Sequence, residues 1–174
     1  REQSKAIEQL GLKPRAFALA TCHRAENTDD PQRLAAILGA LAEIARQFPV
    51  VLPLHPRTRK VIADKGLEGA LGKITIVDPL SFLDMVCLEQ FSKVVLTDSG
   101  GVQKEAFFYG VPCITMRVET EWTETVDLGW NTLVGADERR IVEAALSAAT
   151  PCGSQGLPYG DGRASEAIIG KILV

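Results

Sequence analysis

Short apolar runs rich in branched residues recur along the chain at 17–22 (FALATC), 50–54, 73–77 (KITIV), 93–97 (KVVLT), 112–116 (PCITM) and 132–134. Their apolarity is continuous rather than alternating, which predicts strands buried on both faces, as in a parallel sheet. Between them lie longer stretches in which apolar residues return at three- and four-residue steps. The clearest follows Asp30, a good N-cap, and Pro31, a good first-turn residue; its stripe is Leu34, Ile37, Leu38, Leu41, Ile44, Ala45 and Phe48. Further helices are predicted over 58–65, 81–91 (opened by Ser81 and Asp84), 101–109 (closed by Gly110), 138–148 and 164–173. Strand and helix in alternation predict an α/β fold, an open doubly wound parallel sheet with right-handed crossovers. From 150 to 163 the sequence TPCGSQGLPYGDGR is too rich in Gly and Pro for either element. It reads as a crossover, after which the last helix packs away from the main series.

Composition bounds the function. The chain has 174 residues, with 19 Lys and Arg against 22 Asp and Glu, a formal net charge of −3. That size suits one domain around one core. Nucleic acid and anionic membrane are normally held by a basic excess, so neither is expected as a partner. No apolar stretch approaches the roughly 18 residues that span a bilayer, and the charged opening REQSKAIEQL has no apolar signal region, so a cytoplasmic location is expected. Starting at Arg1 rather than Met, the chain is expected to be one piece of a longer protein. Its cysteines, Cys22, Cys87, Cys113 and Cys152, stand 65, 26 and 39 residues apart without a CxxC pair, so neither a structural metal nor a disulfide framework is expected. Cys87 and Cys113 lie among apolar residues and read as buried reduced thiols.

Ligands of open parallel sheets bind beyond the carboxyl ends of the strands, so the polar residues just after each run are the candidates. They are His23, Arg24, Glu26 and Asn27; His55, Arg57, Thr58 and Arg59; Asp78; Asp98, Ser99, Gly100, Gly101, Gln103, Lys104 and Glu105; and Arg117, Glu119, Glu121, Trp122 and Glu124. Both histidines thus fall on one edge, together with Arg24, Arg57 and Arg117. The DSGG turn runs from a buried strand into a helix, where Gly100 and Gly101 would let backbone N–H groups and the positive helix pole approach a phosphate. The plainer reading is a tight turn that needs positive φ. Ser99 either caps the helix or donates to the anion. Glu105, one turn on, is placed to accept hydrogen bonds from ribose hydroxyls, or is simply solvated. Arg24, Arg57 and Arg117 suit a diphosphate through paired hydrogen bonds, although each alone reads equally as a surface ion pair. His23, beside Arg24, is expected to be a neutral donor or acceptor. Trp122 and Trp130 either stack on a base or sugar or pack under a loop.

Taken in order, HRAEN, HPRT, TDSGGVQKEAFFYGVPCITMR, ETEWTETVDLGWNTLVG and YGDGRASE resemble the carboxyl-terminal half of the non-hydrolysing UDP-N-acetylglucosamine 2-epimerases, over nearly the whole chain. The resemblance implies one of two Rossmann-like domains in a glycosyltransferase-B arrangement, this chain being the UDP-binding domain and the amino-terminal domain lying outside it. It implies interconversion of UDP-N-acetylglucosamine and UDP-N-acetylmannosamine, a precursor of surface polysaccharides, by elimination of UDP and re-addition, with no cofactor or metal, usually in a homodimer. It places the diphosphate at Ser99, Gly100 and Gly101, the ribose at Glu105 and the uracil at the backbone near Met85. His23 corresponds to the functional histidine of HRxEN, and Arg24 and Arg57 join the UDP site. Arg117 matches the arginine after the fifth strand, and His55 the histidine implicated in allosteric substrate binding. The carboxylates that act on the sugar come mainly from the amino-terminal domain, so this chain alone is expected to bind UDP and not to epimerise.

Two departures from the commonest pattern stand out, the first read as a change of surface charge and the second as bearing on the sugar. Lys104 stands where an acidic residue is frequent, and after Arg117 the chain reads VETEWTE where many members carry Arg-Pro after the acidic residue. The ETEW form resembles the branch that includes epimerases of UDP-2,3-diacetamido-glucuronic acid. A UDP-sugar glycosyltransferase domain and a stand-alone nucleotide-binding module are the competing readings.

Overall fold

Residues 4–151 and 156–172 are described by the structure, a computed structural model. The apolar runs become β1 (Ala18–Thr21), β2 (Val50–Pro53), β3 (Thr75–Val77), β4 (Val94–Thr97), β5 (Cys113–Thr115) and β6 (Asn131–Leu133). All pair in parallel, in the order β3-β2-β1-β4-β5-β6. A short α1 (Ala6–Gln9) leads in, and α2 (Ala25–Thr28) and α3 (Pro31–Ile44) link β1 to β2. Next come α4 (Pro56–Asp64) with a 3₁₀ turn (Glu68–Leu71), then α5 (Phe82–Phe91), α6 (Gly100–Phe108), α7 (Thr123–Asp127), α8 (Glu138–Ser147) and α9 (Ala164–Ile172).

The inner strands β1, β2, β4 and β5 bury alternate residues on opposite faces, which is why their runs are continuously apolar, while the edge strands β3 and β6 are partly exposed. Ala18, Ala20, Val50, Leu52, Val94 and Leu96 pack with Leu34, Ile37, Leu38 and Leu41 of α3, Ile62 of α4 and Ile141 and Ala145 of α8. On the other face Phe17, Leu19, Val51 and Val95 meet Ala6 of α1, Leu88 of α5 and Ala106 of α6. Asp30 caps α3 by accepting from the amides of Gln32 and Arg33.

Differences from expectation are local. α6 begins at Gly100, one residue earlier than the pattern placed it. α1, α2, the 3₁₀ turn and α7 were not anticipated; at four or five residues each they are too short to show a helical period. Cys113 is buried, but Cys87 is only half-buried, because it lines an open surface cavity with Ser4, Leu83, Val86, Gln90 and Phe91; Cys152 lies outside the described residues. α9 buries none of its side chains.

The winding reverses between β1 and β4. There the two strands end in register, Thr21 against Thr97, with their hydroxyls 2.6 Å apart. The loops after them diverge to opposite sides, and a crevice opens at this switch point.

Candidate functional site

Asp98, the first residue beyond β4, is fully buried. Its carboxylate accepts from the backbone N–H of His23 (3.1 Å) and of Arg24 (3.1 Å) and from the Asn27 side-chain amide (3.1 Å), and His23 Nδ1 lies 3.6 Å away. A charge so deep is tolerated because these donors replace water. Asn27 also donates to the Met116 carbonyl (3.0 Å) and accepts from Arg33 (2.9 Å). One aspartate and one asparagine therefore fasten the ends of β1, β4 and β5 together. With Nδ1 turned to Asp98, Nε2 is the His23 nitrogen left for a ligand. The charge against the ring is the Asp98 carboxylate, not the neighbouring Arg24 on which the sequence reading relied.

Ser99 caps α6. Its Oγ accepts from the Val102 amide at 3.5 Å, and its own N–H donates to Thr97 Oγ1 at 2.9 Å. Gly100 and Gly101 form the first turn, and neither has positive φ. The turn-geometry explanation for the pair therefore fails. A Cβ at Gly100 would lie 3.3 Å from Glu121 Oε2, whereas one at Gly101 would meet only Ser99 Oγ, at 3.8 Å. The amides here have no acceptor in a preceding helical turn. What absence of a side chain gives at Gly101 is open access to the backbone.

Above this turn Arg117, itself buried, grips Glu121 with two bonds of 3.0 Å, and Arg24 Nη2 approaches the same carboxylate at 3.8 Å. The Arg117 hydrogen bonds above all, with Arg24 adding attraction, hold the Glu121 carboxyl down at about 2. Two guanidiniums thus share one carboxylate at the start of α6. Trp122 donates its indole N–H to the Gly100 carbonyl at 2.7 Å, while Trp130 is buried edge-on to Phe107; neither ring is free for simple stacking.

Beside the turn a cavity of about 310 Å³ is lined by Thr21, Cys22, His23, Pro53, His55, Pro79, Leu80, Met85 and Val102. Its size and largely apolar wall suit a flat heterocycle. Burial first, then Asp98, raises the Cys22 thiol well above its usual value, so it is no nucleophile. Val102 carries the cavity onto α6, and Glu105, three residues on, lies on the same face one turn further. From α5, buried Glu89 faces Glu105; burial, and then that neighbour, raises its carboxyl to about 8, and its Oε2 has no partner among the described residues.

The structure thus gathers His23, His55 and Met85 around one cavity, and Arg24, Ser99, Gly100 and Arg117 around the adjoining helix start. Arg57 joins neither. It is exposed and bound to Asp29 at 2.7 Å, and its amide donates to His55 Nδ1 at 3.2 Å. Among the described residues no group of three or more His, Cys, Asp or Glu is placed to hold a metal ion.

A family model described as UDP-N-acetylglucosamine 2-epimerase matches residues 1–173. The chain belongs to that family. A UDP-2,3-diacetamido-2,3-dideoxy-D-glucuronate 2-epimerase of Pseudomonas aeruginosa is 53% identical over 167 residues, covering 94% of this chain and 46% of its own length. A UDP-N-acetylglucosamine 2-epimerase of Methanocaldococcus jannaschii is 37% identical, covering 88% and 43%. The crystal structure of the M. jannaschii UDP-GlcNAc 2-epimerase in complex with UDP-GlcNAc and UDP superposes with a TM-score of 0.81 at 33% identity, over 98% of this chain and 49% of that one. The chain spans about half the length of the curated relatives it matches. A UDP-glucose: anthocyanidin 3-O-glucosyltransferase, 16% identical with a TM-score of 0.58, shares the fold alone.

Within this epimerase family member, Asp98 and Glu121 are candidates to which the sequence alone gave no role, and Trp122, read there as stacking or packing, turns out to hold the Gly100 carbonyl. Asp98 had a visible signal, a charge directly after four buried strand residues. Glu121 and Trp122 had none, because their partners Arg117, Arg24 and Gly100 meet them only through the loop that α7 closes.

Proposed function

We propose that this chain is the carboxyl-terminal, UDP-holding half of a 2-epimerase of UDP-2-acetamido sugars, completed by an amino-terminal domain of the same protein. The observation that carries this is the first turn of α6: two glycines in ordinary helical backbone, Gly101 open to its surroundings, at the switch point and beside the guanidiniums of Arg24 and Arg117. The diphosphate sits against the Gly100 and Gly101 amides and Ser99. The uracil enters the cavity beside Met85, and Glu105 takes the ribose hydroxyls.

In the reaction, loss of the C2 proton forms the C1–C2 double bond, and the C1–O pair leaves with UDP. Charge then grows on the diphosphate, where the helix pole, the two amides, Arg24 and Arg117 stabilise it. His23, held through Nδ1 by Asp98, presents Nε2 to the departing group. The base that takes the C2 proton belongs to the other domain. Re-addition of UDP at C1, with a proton delivered to C2 on the face opposite to the one it left, gives the epimer.

UDP-N-acetylglucosamine is the substrate the family name supports. A second reading, UDP-2,3-diacetamido-glucuronic acid, is favoured by the 53% identity to the P. aeruginosa enzyme, against 37% to the M. jannaschii one. Calorimetric titration of the chain with UDP, UMP and ADP tests the shared element. UDP is expected to bind at least about tenfold more tightly than either; equal affinity for all three would refute the assignment.

A further inference from the structure

Lys104 does not point its charge at solvent. Its ammonium lies 4.3 Å from the centroid of the Trp122 ring, 4.5 Å from Tyr159 and 5.7 Å from Phe108. Tyr159 stands edge-on to Trp122 at 5.8 Å and to Phe107 and Phe108 at 5.7 Å, and its hydroxyl donates to Glu124 Oε2 at 3.2 Å. The three rings belong to separate parts of the chain: α6, the loop before α7 and the segment before α9. The cation is what they share.

The chain of contact continues to the helix start. The ring that Lys104 covers is the one whose N–H meets the Gly100 carbonyl at 2.7 Å. That carbonyl is also the regular helical acceptor of the Lys104 amide, so residue 104 reaches Gly100 both through the helix and through the indole. The loop bearing Trp122 is tied again by Thr120, which donates to Gln103 Oε1 at 2.6 Å and accepts from the Trp122 amide at 3.1 Å.

We propose that Lys104 and Trp122 are positioning residues for diphosphate binding, the caged ammonium fixing the indole and the indole fixing the first turn of α6. This rests on reading that turn as the diphosphate site. Lys104 acts through Trp122 and not as a charge on the ligand. Lys104 and Trp122 are then one feature, a cation–π pair.

Titration of the chain and its variants with UDP and with uridine separates the possibilities. Lys104→Met and Trp122→Phe are each expected to weaken UDP by about five- to tenfold and to leave uridine within about twofold, while Lys104→Arg restores UDP to within about threefold. Trp122→Phe keeps a ring but removes the N–H, so its loss isolates the bond to Gly100. The proposal is overturned if Trp122→Phe leaves UDP binding intact, whatever Lys104→Met does, because Lys104 would then be acting as a bare charge. It is also overturned if uridine and UDP weaken together, the mark of a general structural role. Wild-type chain that binds UDP no better than uridine would instead refute the diphosphate site itself.

Discussion

Gly101 is where residue chemistry and function meet most plainly. In a helix with ordinary φ and free space at its Cβ, alanine is the better residue by up to about 1 kcal/mol. Gly101→Ala is therefore expected to leave stability unchanged or raise it by up to that amount in a denaturant titration, and to weaken UDP by about tenfold because the methyl stands between backbone and phosphate. A variant both less stable and unimpaired in binding would contradict the reading. The sequence made this residue conspicuous through its place after β4, but not the reason for it; a strained turn and an open backbone look alike until φ is known. Ser99, His23 and Glu105 were legible in the same way. The Glu121 clamp was not, since an i,i+4 pair inside an irregular loop carries no periodic signal.

At the scale of elements, α5 and α6 meet through an uneasy contact. Glu89 is buried against Glu105 with one carboxyl oxygen unpartnered, and its carboxyl stays protonated up to about 8 against 4.5 when exposed. The folded chain thus binds a proton that the unfolded chain has lost across that interval, so this group makes stability fall as pH rises from about 4.5 to about 8. Glu89→Gln is expected to match the wild type near the lower end and exceed it by about 1–3 kcal/mol above the upper end, measured as urea stability at both. An equal difference at the two ends would refute the titration. Continuous apolar runs identified the four inner strands because two-sided burial writes itself into nearly every residue, and the partly exposed edge strands β3 and β6 still carried enough of the same pattern. The one-turn helices were invisible for the opposite reason: α2 is held by Asp98, which accepts from the Arg24 amide and the Asn27 side chain, and the Trp122 that leads into α7 is held by the Gly100 carbonyl, contacts distant in sequence.

For the whole molecule, near-neutral net charge conceals a local arrangement. The cations that matter are paired, Arg24 and Arg117 with Glu121 and Arg57 with Asp29, yet in the first trio two guanidiniums share one carboxylate where the helix pole lies. Parallel topology explains why the first trio can assemble at all: every strand ends on the same edge. The same view predicts that the chain, spanning about half of its relatives, binds nucleotide without turnover. Incubation with UDP-N-acetylglucosamine or the diacetamido-glucuronate sugar, followed by separation of the epimers, is expected to show neither conversion; product would mean that the sugar-facing base lies in this chain. The most direct measurement is a crystal structure of the chain with UDP. The diphosphate should contact the amides of Gly100 and Gly101 with uracil in the cavity beside Met85, and UDP bound with its phosphates away from α6 would contradict the account.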